Sequence, residues 1–169
     1  GVDTINMSLG ALGFDCGERE LTGQDREKVE EAAALVEAVI ELGHRLTSYG
    51  LREHDVVWVF AAGNSCLEAE MDAPARLSLE HPNVLTVAAV NDSGALSTFS
   101  NFGRAVNIAA PGGVWVESLA FFEDVDERGI WSTSHGCRTD MGCGSRYQHK
   151  CGTSQAAPHV TGVVTLVHA

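Results

Sequence analysis

Basic residues are scarce in this chain. Among 169 residues, 11 are lysine or arginine against 23 aspartate and glutamate, a formal net charge of -12 at pH 7. Lysine occurs only at Lys28 and Lys150. A surface of that sign repels nucleic acid and anionic membrane, so neither is expected as a partner. No run of about 18 apolar residues exists, which excludes a transmembrane helix. There is no internal repeat and no low-complexity linker. The start, Gly1-Val2-Asp3-Thr4-Ile5, has no initiator methionine and no signal-peptide pattern, and reads like the middle of a domain. What is present is enough for a packed core: 44% hydrophobic and 20% charged residues in about one domain's length.

The chain alternates two periodicities. Val2 to Met7 reads as a strand that runs into Ser8-Leu9-Gly10, followed by a glycine-rich polar loop over residues 11–23. From Gln24 to Leu46, Val29, Ala32, Ala33, Val36, Val39, Ile40 and Leu42 form an apolar stripe at helical spacing, with glutamates opposite. Asp55 to Ala62, Val84 to Val90 and Val106 to Ala110 are near-continuous apolar runs, as expected of strands buried on both faces of a parallel sheet. Residues 113–151 read as irregular, and Ser154 to His168 as a closing helix. Strands separated by helices or loops predict an α/β fold with a mainly parallel sheet.

Ligands of such sheets bind at the carboxyl ends of strands. Three polar landmarks fall there: Ser8-Leu9-Gly10, Gly63-Asn64-Ser65 and Gly152-Thr153-Ser154. A serine between a glycine turn and an apolar helix presents a hydroxyl nucleophile, with its own N–H near the positive end of the helix dipole. A strand-end asparagine offers an amide N–H₂ as a second oxyanion donor. Each landmark alone has a plainer reading: helix N-cap for Ser154, left-handed turn residue for Asn64.

Taken in order, these blocks resemble the subtilisin-like serine peptidases (the subtilases, or peptidase S8 family). The resemblance rests on Ile5-Asn6-Met7-Ser8-Leu9-Gly10, Ala61-Ala62-Gly63-Asn64, His81-Pro82-Asn83-Val84, Phe99-Ser100-Asn101-Phe102-Gly103, Ala109-Ala110-Pro111-Gly112 and Gly152-Thr153-Ser154-Gln155-Ala156-Ala157-Pro158-His159-Val160. Gln155 stands where the family usually has methionine. The resemblance implies a subtilisin-like three-layer fold and a serine endopeptidase. Ser154 would be the nucleophile and Asn64 an oxyanion donor. Ser8, Leu9 and Gly10 would be the ledge that pairs with an extended polypeptide substrate, and Ala61, Ala62 and Gly63 a wall of the pocket for the side chain before the cleaved bond. Pro74 would match a cis-proline near that pocket.

The resemblance also implies a histidine base and an orienting aspartate, in the chain order aspartate, histidine, serine. Neither signature occurs upstream of Ser8, and none of the seven histidines matches. His135 and His159 lie after the oxyanion asparagine. The expectation is a partial peptidase domain over residues 1–169, truncated at its N-terminus. The triad aspartate and histidine would lie in a missing preceding segment, and the 169 residues alone would be inactive. The alternative is a non-catalytic subtilisin-like module that binds peptides along Ser8-Leu9-Gly10. No cofactor is identified. Calcium is common in the family, but no calcium-ligand pattern carries over.

Glu68, Glu70 and Asp72 follow Asn64 and are candidates to recognise a basic substrate side chain; a solvated acidic loop is the preferred reading. Cys137, Cys143 and Cys151 cluster with His135 and His149, yet without a Cys-x-x-Cys pair a disulfide is favoured over zinc. Cys16 and Cys66 are candidates for a second bridge. Five cysteines leave one thiol over. Disulfides fit an oxidising, secreted or extracytoplasmic location. The 113–151 insert is expected to form a rim beside the nucleophile turn.

Overall fold

The computed structural model describes residues 2–13, 16, 20–51, 55–114, 128–133, 137–138, 142–143 and 147–168. Four parallel strands form the main sheet in the order β1-β2-β3-β4: Thr4–Met7, Val57–Ala61, Val84–Val90 and Ile108–Pro111. Helix α1 (Gly23–Ser48) separates β1 from β2. Helix α2 (Thr153–His168) ends the described chain.

The period-2 alternation of β2 divides the core. Trp58 and Phe60 join the α1 residues Val29, Ala33, Val36 and Ile40 in one cluster. Val59 and Ala61 point the other way and pack with Val87, Ala89, Ala156, Ala157 and Val160 beneath α2. A strand sandwiched in this way must be apolar at every position, which is why β2 reads as an unbroken apolar run. The result is a helix–sheet–helix layering, the α/β architecture expected from the sequence.

Local chemistry fixes the helix ends. The Thr22 hydroxyl accepts from Asp25 N, while the Asp25 carboxylate accepts from Thr22 N at 3.0 Å, a reciprocal capping box. On α1, Val39 and Leu42 of the expected stripe are exposed. At about 100° per residue Val39 falls at the margin of the arc of Val29, Ala33, Val36 and Ile40 that covers the sheet, and Leu42 on nearly the opposite face.

The sequence reading of residues 113–151 as irregular needs correction. Ile130–Thr133 (β5) pairs antiparallel with Tyr147–Lys150 (β8), and Cys137–Arg138 (β6) with Gly142–Cys143 (β7). Trp131 stacks on Tyr147 with ring centroids 5.6 Å apart. Cross-strand aromatic pairs of this kind stabilise a hairpin that short, polar strands do not advertise in sequence.

Candidate active site

The turn into α2 carries the chemistry. Gly152 has φ of +144°, a conformation that L side chains rarely adopt. Its N–H donates to Gly112 O at 2.8 Å and ties the turn to the end of β4. Thr153 and Ser154 then open α2, where the first N–H groups have no intrahelical acceptor. The Ser154 N–H is therefore available at the positive end of the helix dipole.

Asn64, beyond the end of β2, is held rigidly against this turn. Its Oδ1 accepts from Thr153 N at 2.8 Å and from Thr153 Oγ1 at 2.9 Å. The same threonine hydroxyl accepts from Gly63 N at 3.2 Å. A backbone N–H can only donate, so the amide orientation is fixed by chemistry: Oδ1 faces Thr153 and Nδ2 is left to donate elsewhere. Asn64, Thr153 and Ser154 line one small cavity of about 60 Å³. A hydroxyl thus lies beside two N–H donors, the Ser154 backbone and Asn64 Nδ2, an arrangement able to stabilise an oxyanion.

Helix α2 has a proline, Pro158, inside it. Proline has no N–H, so Ser154 O loses its i+4 helical partner. Ser8 Oγ takes that place and donates to Ser154 O at 3.0 Å, while Ser154 Oγ approaches Ser8 O at 3.4 Å. The two serines are locked reciprocally. Among the described residues no imidazole bonds the Ser154 hydroxyl. His159 is exposed, with Nδ1 2.8 Å from Gln155 O, and His149 Nδ1 lies 3.3 Å from Gly129 O. His135 lies outside the described residues.

Ser8, Leu9 and Gly10 continue β1 past the sheet. β1 is an edge strand among the described residues, and Leu9 and Gly10 are exposed. Leu9 and Gly10 line the 60 Å³ cavity together with Leu12, Gly13, Ala61 and Gly63. Ala62 does not: it is fully buried and packs with Ala69, Ala75, Ala88 and Ala105. Just beyond the end of β2, it faces away from the cavity that Ala61 and Gly63 line. Ala73–Pro74 is cis.

The acidic segment after Asn64 also departs from the sequence reading. Glu68 is solvated, but Glu70 pairs with Arg104 Nε at 3.2 Å, and Asp72 is 1% exposed. Asp72 Oδ1 accepts from the backbone N–H of Ala11, Leu12 and Ala73 at 3.1, 3.2 and 2.8 Å. Burial nonetheless raises its pKa above the usual carboxylate value, against the opposing effect of these three bonds.

On the other side of Ser154, Ile130 to Thr133 and Gln148, Lys150 and His159 surround a cavity of about 470 Å³ that Ser154 also lines. The β5–β8 hairpin of the insert therefore stands beside the nucleophile turn. Cys16 and Cys66 form a disulfide. Cys151 is not in a disulfide, and burial pushes its thiol pKa up to about 11. Cys137 and Cys143 are register partners of β6 and β7, but their side chains lie outside those described.

Glu41, His44 and His81 place potential ligand atoms within 4.8 Å of one another. Two imidazoles do not suit calcium, which prefers oxygen ligands. Both rings already face carboxylates, His44 Nδ1 with Asp55 at 2.9 Å and His81 Nε2 with Glu37 at 3.6 Å. None of the three lines either cavity beside Ser154. No described helix is long and apolar enough to cross a membrane.

Comparison with known proteins bears on this geometry. An extracellular protease of Xanthomonas campestris pv. campestris is 36% identical over 66% of this chain and 16% of its own length. An extracellular basic protease of Dichelobacter nodosus is 37% identical over 64% and 15%, and alkaline protease 1 of Aspergillus clavatus 35% over 68% and 22%. The chain spans less than a quarter of these relatives. Among solved structures, a protease from Pseudoalteromonas arctica superposes with a TM-score of 0.57 at 28% identity, over 98% of this chain and 38% of that one. A cold-adapted subtilisin-like serine proteinase gives 0.52 at 29%, over 97% and 40%. The sequence pattern of the Subtilase family (Peptidase S8) matches residues 1–169. From its first residue to its last, the chain belongs to the subtilase family.

Proposed function

We propose that this chain is part of a serine endopeptidase that hydrolyses peptide bonds through an acyl-enzyme on Ser154. The observation that carries the reading is the fixed amide of Asn64, whose Oδ1 is committed to Thr153 while Nδ2 and the Ser154 N–H have no acceptor among the described residues, in the cavity that Asn64 and Ser154 both line. An extended substrate pairs with the continuation of β1 along Ser8, Leu9 and Gly10. Attack of Ser154 Oγ on the scissile carbonyl places negative charge on its oxygen, between the two N–H donors. The hydroxyl proton needs a base. We assign that role to a histidine, oriented by an aspartate, outside residues 1–169; these residues by themselves are expected not to turn over substrate. No cofactor enters the scheme. Relatives named extracellular proteases support a secreted or extracytoplasmic location.

The experiment is labelling of the full-length protein with a serine-directed phosphonate. Labelling at Ser154, lost in Ser154→Ala, is expected. A full-length protein that contains aspartate, histidine and Ser154 yet never labels is instead the peptide-binding module that uses the same Ser8, Leu9 and Gly10 segment.

A further inference from the structure

Glu37, Glu41 and His44 lie at i, i+4 and i+7 of α1, so they follow one another along a single helix face. His81 meets that face from the turn that enters β3. Its backbone is fixed at both ends: its N–H donates to Leu77 O at 3.0 Å, and its O accepts from Val84 N at 3.1 Å. Its side chain is 9% exposed. The His81 and His44 rings stack with centroids 6.1 Å apart and planes inclined by 23°. Potential ligand atoms of Glu41, His44 and His81 all fall within 4.8 Å of one another.

Two details point to an ion rather than to packing alone. His81 Nε2 is buried and has no hydrogen-bond partner. The Glu37 carboxylate faces it at 3.6 Å, beyond hydrogen-bond reach. A buried polar atom in that state costs free energy, which coordination of an ion would offset. His44 Nδ1 is 2.9 Å from Asp55 Oδ2, which leaves Nε2 as the ligand nitrogen. A carboxylate on the far nitrogen is what orients metal-binding histidines and fixes their tautomer.

Two neutral imidazoles and one carboxylate suit zinc, which accepts three protein ligands with a fourth position open to water. Calcium and magnesium prefer oxygen. Bonds of about 2.0–2.1 Å place the ligand atoms of a tetrahedral zinc roughly 3.4 Å apart, so the observed spread exceeds closure by about 1.4 Å at most, a movement that side-chain rotation covers. Glu41 is exposed, which gives the ion a path from solvent.

We propose that Glu41, His44 and His81 bind one zinc ion, which clamps α1 to the turn before β3. Asp55 positions His44, and Glu37 adds negative charge beside the ion. The site lies on the α1 side of the sheet, opposite α2, and the inference does not rest on the peptidase reading. The acidic excess of the chain draws cations to its surface.

The test uses zinc alone, titrated calorimetrically into the full-length protein carrying Ser154→Ala, which excludes self-cleavage, after treatment with a chelator and its removal. This parent is expected to bind one zinc ion per chain that His44→Gln binds at least about 100-fold more weakly, since loss of an orienting partner alone costs about 10–100-fold. Glu41→Gln, at an exposed position, should weaken the same ion by at least about tenfold. Zinc should raise the midpoint of thermal unfolding in the parent and not in His44→Gln. Cobalt(II) in place of zinc should give the visible bands of tetrahedral coordination, lost in His44→Gln. Equal zinc stoichiometry and affinity in the parent and both variants would overturn the proposal. So would a cobalt difference spectrum dominated by thiolate charge transfer, which would assign the metal to cysteines. Should His44→Gln fail to fold, Glu41→Gln decides: zinc binding unchanged there overturns the site.

Discussion

The amide of Asn64 illustrates how one side chain is made useful by what holds its other end. Because Thr153 donates twice to Oδ1, Nδ2 would need no reorganisation to serve the proposed oxyanion role. In the full-length protein Asn64→Ala is expected to lower kcat about 10²–10³-fold with KM little changed, a range taken from an oxyanion asparagine of subtilisin itself. An equal loss in KM would mean that Asn64 holds the ground state instead. Asp72 makes a different prediction, in stability. Burial raises its pKa, so the folded protein keeps the proton at a pH where the unfolded chain has released it. Stability then falls as pH rises from about 4 through the folded value. Thermal unfolding of Asp72→Asn should show it gaining on the parent between pH 4 and pH 7; a difference independent of pH would contradict this. Neither the burial of Asp72 nor the inward turn of Ala62 was legible in the sequence. Both depend on which neighbours arrive from distant segments, and Asp72 reads locally as one more acidic loop residue among Glu68 and Glu70.

Elements were legible in proportion to how many of their residues the core uses. β2, buried on both faces, reads as an unbroken apolar run, and the α1 stripe marks the residues that meet Trp58 and Phe60. The β5–β8 hairpin escaped because its pairing rests on a few cross-strand aromatic contacts and exposed polar residues. The start of α1 depends on the Thr22–Asp25 capping box. Thr22→Ala should cost about 1 kcal/mol in chemical denaturation, with little change in the slope. A neutral substitution would mean that packing of Val29, Ala33, Val36 and Ile40 alone holds the helix.

Across the whole molecule, the Cys16–Cys66 disulfide joins the loop after β1 to the loop after β2, over a sequence separation of 50. Closing a loop of that length restricts the unfolded chain by about 4 kcal/mol on the entropic view. Replacing both cysteines by serine should therefore lower unfolding free energy by about 2–5 kcal/mol, measured by denaturant titration. A loss below about 1 kcal/mol would show that the bridge only decorates an already ordered pair of loops. The reciprocal bonds between Ser8 and Ser154 span 146 positions of sequence. Contacts of such separation form only after the intervening loop entropy has been overcome. The serine of a nascent chain therefore lies far from its ledge until β1, the central strands and α2 have all docked. On the proposed peptidase reading, hydrolytic competence would wait on that docking.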